Sequence, residues 1–473
     1  MKNKMTQKLV EDVLTIFNNN ENVISGTVVG SILNKSFDQI SDIDLVVIVK
    51  NLSLDNITQL KNDLLSLSPK LYKLDKKFEV NDSFGPLKKE HENNIVFHLM
   101  VYDEIEHKNH VINSPFTCYD WEQSEQFIKK PIKDVYPTRN LMFCDFQDAR
   151  RGIKDYIEDI NQRRISYRIY AESKNGLVQK KFYQDLDRKH STEFSFHIMK
   201  NSISNFCKVL LNRGKKLSEK EFTNFWKLLM PNLYSDFFDI YKELERQKNQ
   251  KKYDDNNLID SIPDFLIEFN LEIEKHYKNT QKFIFIRHLA TDLNDGRLFG
   301  QKSDVPILEI NQVIETINKE YENFDIYSSP LTRCIQTASK FGFNDVFTDD
   351  NLKEIDYGLA EGMFFENFIE DYPEYKQKIE CNQDFKYPEG ESYGEVKKRM
   401  FKFLNDSTNS ILAFTHQGPL RALIGTILEI QISDWHKINI PHGIPLEFIK
   451  YDENYLININ RKILSTILEE IEI

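Results

Sequence analysis

Two short apolar runs each end in a histidine. FIFIRH closes at His288, and ILAFTH closes at His416. Four consecutive apolar residues, Phe283 to Ile286 and Ile411 to Phe414, read as buried strands. Ile326–Tyr327 reads as another, and helical spacing falls between them over Leu308 to Tyr321 and Arg333 to Phe341. Buried strands alternating with helices predict an α/β sheet with helices on its faces. Such sheets gather ligand groups at the carboxyl ends of their strands. Both histidines are therefore expected at one end of one sheet.

The alternation stops upstream of residue 279. At roughly 150 residues per domain, 473 residues allow about three domains. Residues 1–135 mix patterns: a helix over Thr6 to Phe17, a buried strand over Ile43 to Val49, helical spacing over Leu52 to Leu67. Phe78-Glu79-Val80 reads as a short strand and Ile95 to Tyr102 as a longer one. Residues 136–278 show few strand signals, and Asp148 to Tyr170 and Phe196 to Leu211 carry apolar residues every three to four positions. A mainly helical middle domain follows. Arg246 to Asn257 reads as a loop, with Pro263 near the start of a last helix. Residues 279–473 form the third region, so the chain reads as multidomain: α/β, helical, α/β.

Several function classes are excluded. No stretch approaches the roughly 20 apolar residues of a membrane helix, and the N-terminus has no secretory apolar segment. Five scattered cysteines, with no CxxC, argue against a disulfide framework or thiolate zinc site and suit a reducing cytoplasm. A net charge of -12 makes the chain a poor non-specific nucleic-acid binder.

The C-terminal motifs point to phosphate chemistry. Arg287-His288 is followed by Thr291, Asn294, Arg297 and Gly300, then SSPLTRCIQTA with Arg333, LKEIDYGLAEG with Glu354 and Glu361, YPEGESYGEV, and THQGPLRAL with His416. Two arginines can grip a phosphomonoester dianion by paired hydrogen bonds. A neutral imidazole at His288 can attack phosphorus. A protonated His416 can stabilise the equatorial oxygens. Glu354 can protonate the leaving alkoxide. This region resembles the histidine phosphatase superfamily, the phosphoglycerate mutase-like enzymes, whose fold is a three-layer α/β sandwich. The resemblance makes His288 the phosphorylated nucleophile, Glu354 the proton donor, Arg287, Arg333 and His416 the phosphate site, and Thr291 and Asn294 substrate-binding residues; no cofactor is implied. Leu289 replaces the usual glycine after the histidine and is expected to reshape the pocket floor or slow the reaction. Gln417 is a second departure. The segment Met363 to Tyr387 is expected to line the pocket and set substrate choice.

The N-terminal motif is GTVVGSILNKSFDQISDIDLVVIV. Residues two apart on a strand share a face, so Asp42 and Asp44 place two carboxylates side by side. Mg²⁺ with triphosphate oxygens resolves that repulsion, and a turn at Gly30-Ser31 lets backbone N–H groups approach phosphates. The pattern is similar to the minimal nucleotidyltransferase fold of the DNA polymerase β superfamily. That resemblance implies a third carboxylate on a later strand; Glu79 is one candidate, while His98 and Asp103 lie on IVFHLMVYD. Arg150, Arg151, Arg163, Arg164 and Arg168 fall on the first middle-domain helices as triphosphate contacts or, for most, solvated surface. His190 and His197 read as structural.

Together the motifs predict a bifunctional cytoplasmic enzyme. One end hydrolyses a small phosphorylated metabolite; the other uses Mg²⁺ and a nucleoside triphosphate on a small acceptor. The alternative is a regulatory protein whose N-terminal domain modifies a protein or RNA, or only senses nucleotide, and controls the phosphatase.

Overall fold

The computed structural model describes residues 2–30, 32, 42–85, 94–138, 141–174, 176–211, 217–254, 258–293, 295–308 and 321–471. The predicted helix over Leu308 to Tyr321 lies mostly outside them, as do Ser31 and Asn294.

The N-terminal region comprises α1 (Lys2–Asn19), β1 (Val23–Val29), β2 (Asp42–Val49), α2 (Leu54–Leu65), β3 (Lys77–Asn81), β4 (Asn94–Asp103), α3 (Glu104–Asn113), α4 (Pro115–Glu122), β5 (Phe127–Lys129) and α5 (Ile132–Val135). The sheet order is β3-β4-β2-β1-β5. β4 runs parallel to β2 and β3, and β1 is antiparallel to β2 and β5. Leu45, Val47 and Leu99 bury one face with Leu9, Val13 and Phe17 of α1 and Leu60 of α2. Val46, Ile48 and Met100 bury the other with Val111, Cys118 and Trp121. Burial on both faces explains why the LVVIV that follows Asp44 is apolar throughout rather than alternating.

The middle region differs from its sequence reading. α6 (Phe143–Arg150) and α7 (Ile153–Asn161) lead into a hairpin of β6 (Arg164–Ser173) and β7 (Gly176–Asp185), then α8 (Arg188–Leu210), α9 (Glu219–Leu229), α10 (Pro231–Gln250) and α11 (Ile262–Asn279). The predicted helix over Asp148 to Tyr170 ends at Asn161. Ile165, Tyr167 and Ile169 alternate with period two, a strand signal masked because it continues the apolar helix spacing before it. Arg164 and Arg168 accordingly sit on a strand, and Arg163 in the turn before it with φ 51°. Phe84 and Arg168 exchange backbone hydrogen bonds of 2.7 Å, docking the hairpin on the N-terminal region. Arg150 binds Glu274 at 2.8 Å, Arg151 binds Asp148 at 2.8 Å, and Arg164 binds Glu158 at 3.3 Å; Arg163 pairs with Asp260. α10 runs into the expected loop as far as Gln250, while Pro263 does open α11. His190 pairs with the α8 cap residue Asp187, and His197 contacts Lys248.

The C-terminal region comprises β8 (Gln281–Arg287), β9 (Asp325–Ser328), α12 (Thr332–Lys340), β10 (Phe347–Thr348), α13 (Phe365–Asp371), α14 (Pro373–Glu380), α15 (Tyr393–Asp406), β11 (Ile411–Thr415), α16 (Gln417–Ile427), β12 (Pro445–Tyr451), β13 (Asn454–Ile457) and α17 (Arg461–Ile467). The sheet order is β10-β9-β11-β8-β12-β13, parallel from β10 to β8, with β12 and β13 antiparallel at the edge. Phe283, Phe285, Ile411 and Ala413 face Met400 of α15 and Leu423 of α16. Ile284, Ile286, Leu412 and Phe414 face Cys334 and Ala338 of α12. Helices thus cover both faces of a central sheet. No helix among the described residues is long and apolar enough to cross a membrane.

Candidate functional site

β8 and β11 are neighbours in register, with Arg287 opposite Thr415. The residues that follow, His288 and His416, therefore emerge at one level, with ring centroids 5.2 Å apart. His288 borders a cleft of about 640 Å³ that also includes Arg287, Thr291, Arg333 and Glu354, while His416 is fully buried behind it.

His288 presents an unprotonated ring nitrogen. Its Nδ1 lies 2.7 Å from Leu289 O. A carbonyl only accepts, so Nδ1 carries the proton and Nε2 keeps a lone pair. Burial, with the Arg287 and Arg333 charges, holds its pKa well below the ordinary histidine value. The ring is thus neutral at physiological pH.

Arg287 Nη1 donates to Ile440 O at 2.6 Å. Its buried Nε has no acceptor among the described residues. An orphaned buried donor costs about 1–3 kcal/mol, and a phosphate oxygen would satisfy it. Burial and Arg421 bring the Arg287 pKa down to about 10, which still leaves the group charged. Arg333 is anchored by Nη1 to Ser303 O at 2.9 Å, Nη2 to Gly300 O at 3.0 Å and Nε to His416 Nδ1 at 3.2 Å.

His416 departs from the expectation of a protonated ring on the phosphate oxygens. Its Nδ1 accepts from Arg333, so the proton sits on Nε2, 2.8 Å from Ser329 Oγ. Complete burial, together with Arg333, drives its pKa well below the ordinary value. Both nitrogens are engaged inside the protein. In this arrangement His416 positions Arg333.

Glu354 is held by backbone amides: Oε1 accepts from Ile355 at 2.9 Å and Gly418 at 2.8 Å, Oε2 from Gln417 at 3.2 Å. A Cβ at position 418 would fall 2.3 Å from Oε1, so glycine there lets the carboxylate reach the first turn of α16. Oε2 keeps the spare capacity for a proton. Arg399 donates to Glu354 O at 3.0 Å and pairs with Glu391, which gives the YPEGESYGEV segment a supporting role. Glu361 likewise supports the site, accepting from Gly300 N and Ser303 N and so shaping the loop that holds Arg333.

Leu289 does not reshape the cleft. Its side chain is buried in the core beneath α12, and the vacant Cβ position of Gly443 lies 2.7 Å from Leu289 Cδ2. The larger residue is accommodated because position 443 is glycine, at φ 68°. Leu289→Gly should therefore lower unfolding free energy by about 3–5 kcal/mol, as a buried leucine truncation does. It should not raise turnover. Urea denaturation and steady-state assay check both; an unchanged midpoint with faster turnover would place Leu289 in the pocket.

Two residues escaped the sequence reading. Arg421 lies one turn after Gln417 on α16, lines the cleft, and donates from Nε to Ile438 O at 2.8 Å; its i, i+4 spacing from Gln417 was the available signal. His442 arrives from a turn beside the cleft, and no spacing announces it. Phe365, Glu366 and Tyr387 line the cleft mouth, within the segment expected there. Thr291 is buried at its wall.

In the N-terminal region Asp42 and Asp44 share a face of β2. A Cβ at Gly30 would lie 2.8 Å from Asp44 Oδ2, and Gly30 takes φ 84°, so the turn against that carboxylate requires glycine. Opposite Asp44 stands His98, with Nδ1 at 3.1 Å from Asp44 Oδ1 and Nε2 at 2.7 Å from Ser83 O. Asp103 caps α3 instead, accepting from Glu106 N at 2.8 Å. Glu79 binds Asn94 and sits two strands from Asp42, about 10 Å at ordinary strand spacing. Among the described residues no group of three metal-ligating side chains converges.

Comparison with known proteins follows the same division. Residues 283–456 match the model of the histidine phosphatase superfamily, branch 1. The chain is 27% identical to phosphoserine phosphatase 1 of Hydrogenobacter thermophilus, over 32% of this chain and 78% of that protein. It is 23% identical to a fructose-2,6-bisphosphatase of Saccharomyces cerevisiae, over 63% of this chain and 71% of that one. Among solved structures, a phosphoserine phosphatase of Entamoeba histolytica is 28% identical and covers 38% of this chain and 95% of its own, with a TM-score of 0.33. The C-terminal region of this chain is a histidine phosphatase superfamily domain.

Proposed function

We propose that the C-terminal cleft hydrolyses a small phosphomonoester through a phosphohistidine. The observation that carries this reading is the pinned tautomer of His288, which presents an Nε2 lone pair beside Arg287 and Arg333. Nε2 attacks phosphorus as the ester P–O bond breaks, with Arg287 and Arg333 neutralising the phosphoryl oxygens. Glu354 delivers its proton to the leaving alkoxide. Water then attacks phosphorus, the N–P bond breaks, Glu354 takes the water's proton, and inorganic phosphate leaves. His416 holds Arg333 in register through these steps. Fructose 2,6-bisphosphate and phosphoserine, named by the relatives, are the pair to compare first, since only the former carries free hydroxyls. A phosphate-release screen with His288→Ala as the blank tests the reading; release that persists in the variant would refute it.

For the N-terminal region we propose a nucleotide-binding role. Asp42, Asp44 and the Gly30 turn support it. Two carboxylates suffice for Mg²⁺ when phosphates and water complete its shell, so Asp42 and Asp44 would hold that ion. Bound there, it would neutralise a triphosphate and favour nucleotidyl transfer to a small acceptor. The engagement of Asp44 by His98 favours the sensing alternative over turnover. Asp42→Asn with Asp44→Asn should weaken Mg²⁺-dependent triphosphate binding at least about tenfold, with Tm retained. Calorimetry showing unchanged affinity would remove the metal assignment. His288→Ala should leave this binding intact.

A further inference from the structure

A second histidine, His442, borders the same cleft as His288. His442 Nδ1 lies 2.6 Å from His288 O. The carbonyl accepts, so Nδ1 carries the proton and the remaining lone pair is on Nε2. The two rings stand 5.3 Å apart at 63°. His442 borders the cleft, and no described residue bonds its Nε2. Burial, with the Arg287 charge, lowers its pKa to about 4, so the ring stays neutral at physiological pH.

Elsewhere in the cleft, Arg287, Arg333 and Arg421 offer only donors. Those donors match the acceptor oxygens of a phosphate dianion. A lone pair does not, because two acceptors facing each other repel. His442 Nε2 therefore needs a donor from the rest of the bound molecule. An ammonium bonded to Nε2 would lie against the Arg287 charge that already acts on this ring, whereas a neutral hydroxyl meets no such repulsion.

We propose that His442 is a specificity residue that accepts a hydrogen bond from a hydroxyl on the carbon skeleton of the substrate, beside the phosphoester. The substrates are then hydroxylated phosphomonoesters, and simple alkyl phosphates are discriminated against. This inference rests on the phosphatase reading and adds a residue and a selection rule to it. A site that loses its partner hydroxyl leaves a desolvated acceptor unpaired, which sharpens discrimination well beyond that of a purely apolar pocket.

The test compares kcat/KM of the full chain for glycerol phosphate and propyl phosphate, which share a skeleton but not the hydroxyls. The wild type should favour glycerol phosphate by about 100-fold or more. His442→Leu should collapse that ratio toward unity. His442→Asn retains both a donor for His288 O and an acceptor, and should retain most of it. A wild-type ratio near unity, or a ratio unchanged in His442→Leu, would overturn the proposal while leaving the phosphatase reading in place. So would an equal fall in both rates, which marks a residue that holds the hydrolytic water. Release from neither substrate above the His288→Ala blank would remove the phosphatase reading, and this proposal with it. Should His442→Leu fail to fold, the wild-type ratio and His442→Asn decide alone.

Discussion

His288→Ala should lower phosphate release by about 10⁴-fold or more, the scale on which removing a covalent nucleophile acts. The phosphate site would survive, because Arg333 is anchored by Ser303 O and Gly300 O and Arg287 by Ile440 O, none of them through His288. Substrate binding should therefore persist while the phosphoenzyme disappears. The wild-type pH profile carries a related signature. His288 must be neutral to attack, and burial with two arginines holds its pKa well below the ordinary value. The active form is present above the folded pKa, so the His288 limb should fall well to the acid side of an exposed histidine. Rapid-mixing kinetics over a pH series, with a buffer-matched His288→Ala control, check both statements. A variant retaining more than about a tenth of wild-type turnover would show that another group attacks phosphorus.

Glu354→Gln should produce the second largest loss, about 10²–10⁴-fold on alkyl phosphates. The effect should depend on the leaving group. An alkoxide needs a proton as the ester bond breaks, whereas a nitrophenolate departs without one, so nitrophenyl phosphate should suffer less than about tenfold. That contrast separates chemistry from structural damage. The amide also places an N–H toward backbone donors that the carboxylate now accepts, at a cost of about 1–3 kcal/mol in stability. Damage of that kind would slow both substrates alike. Equal losses on alkyl and nitrophenyl esters would remove Glu354 as the proton donor.

The parts of the site that local pattern could reveal were those on continuous strands. FIFIRH and ILAFTH carry their own strand signal, and adjacency of β8 and β11 brings His288 and His416 together. Glu354 was visible as a motif, but not its three amide donors, which depend on α16 beginning at Gln417 and on the bare Cα of Gly418. The direction of Leu289 is not legible locally because the space it fills is left by Gly443, far along the chain. The charge of His416 depends on Ser329 and Arg333, from a strand end and a helix that the local sequence of THQGP does not report. His442 shows the same limit: a loop histidine has no periodicity to read. In the N-terminal region the carboxylate pair followed from strand period two, while the meeting of Asp44 with His98 required the register of β2 against β4. The β6–β7 hairpin was missed because its alternating Ile165, Tyr167 and Ile169 continued a helical spacing begun at Ile153.

In the proposed mechanism the phosphoryl group passes from its ester oxygen to His288 Nε2. Acid-sparing rapid quench of the full chain with its best substrate, followed by peptide mass spectrometry, measures this directly. The expected result is one phosphoryl group on the peptide carrying His288, formed and consumed at rates compatible with turnover, and absent from His288→Ala. Turnover without any phosphorylated peptide, or with the phosphoryl group on His416 or His442, would contradict it.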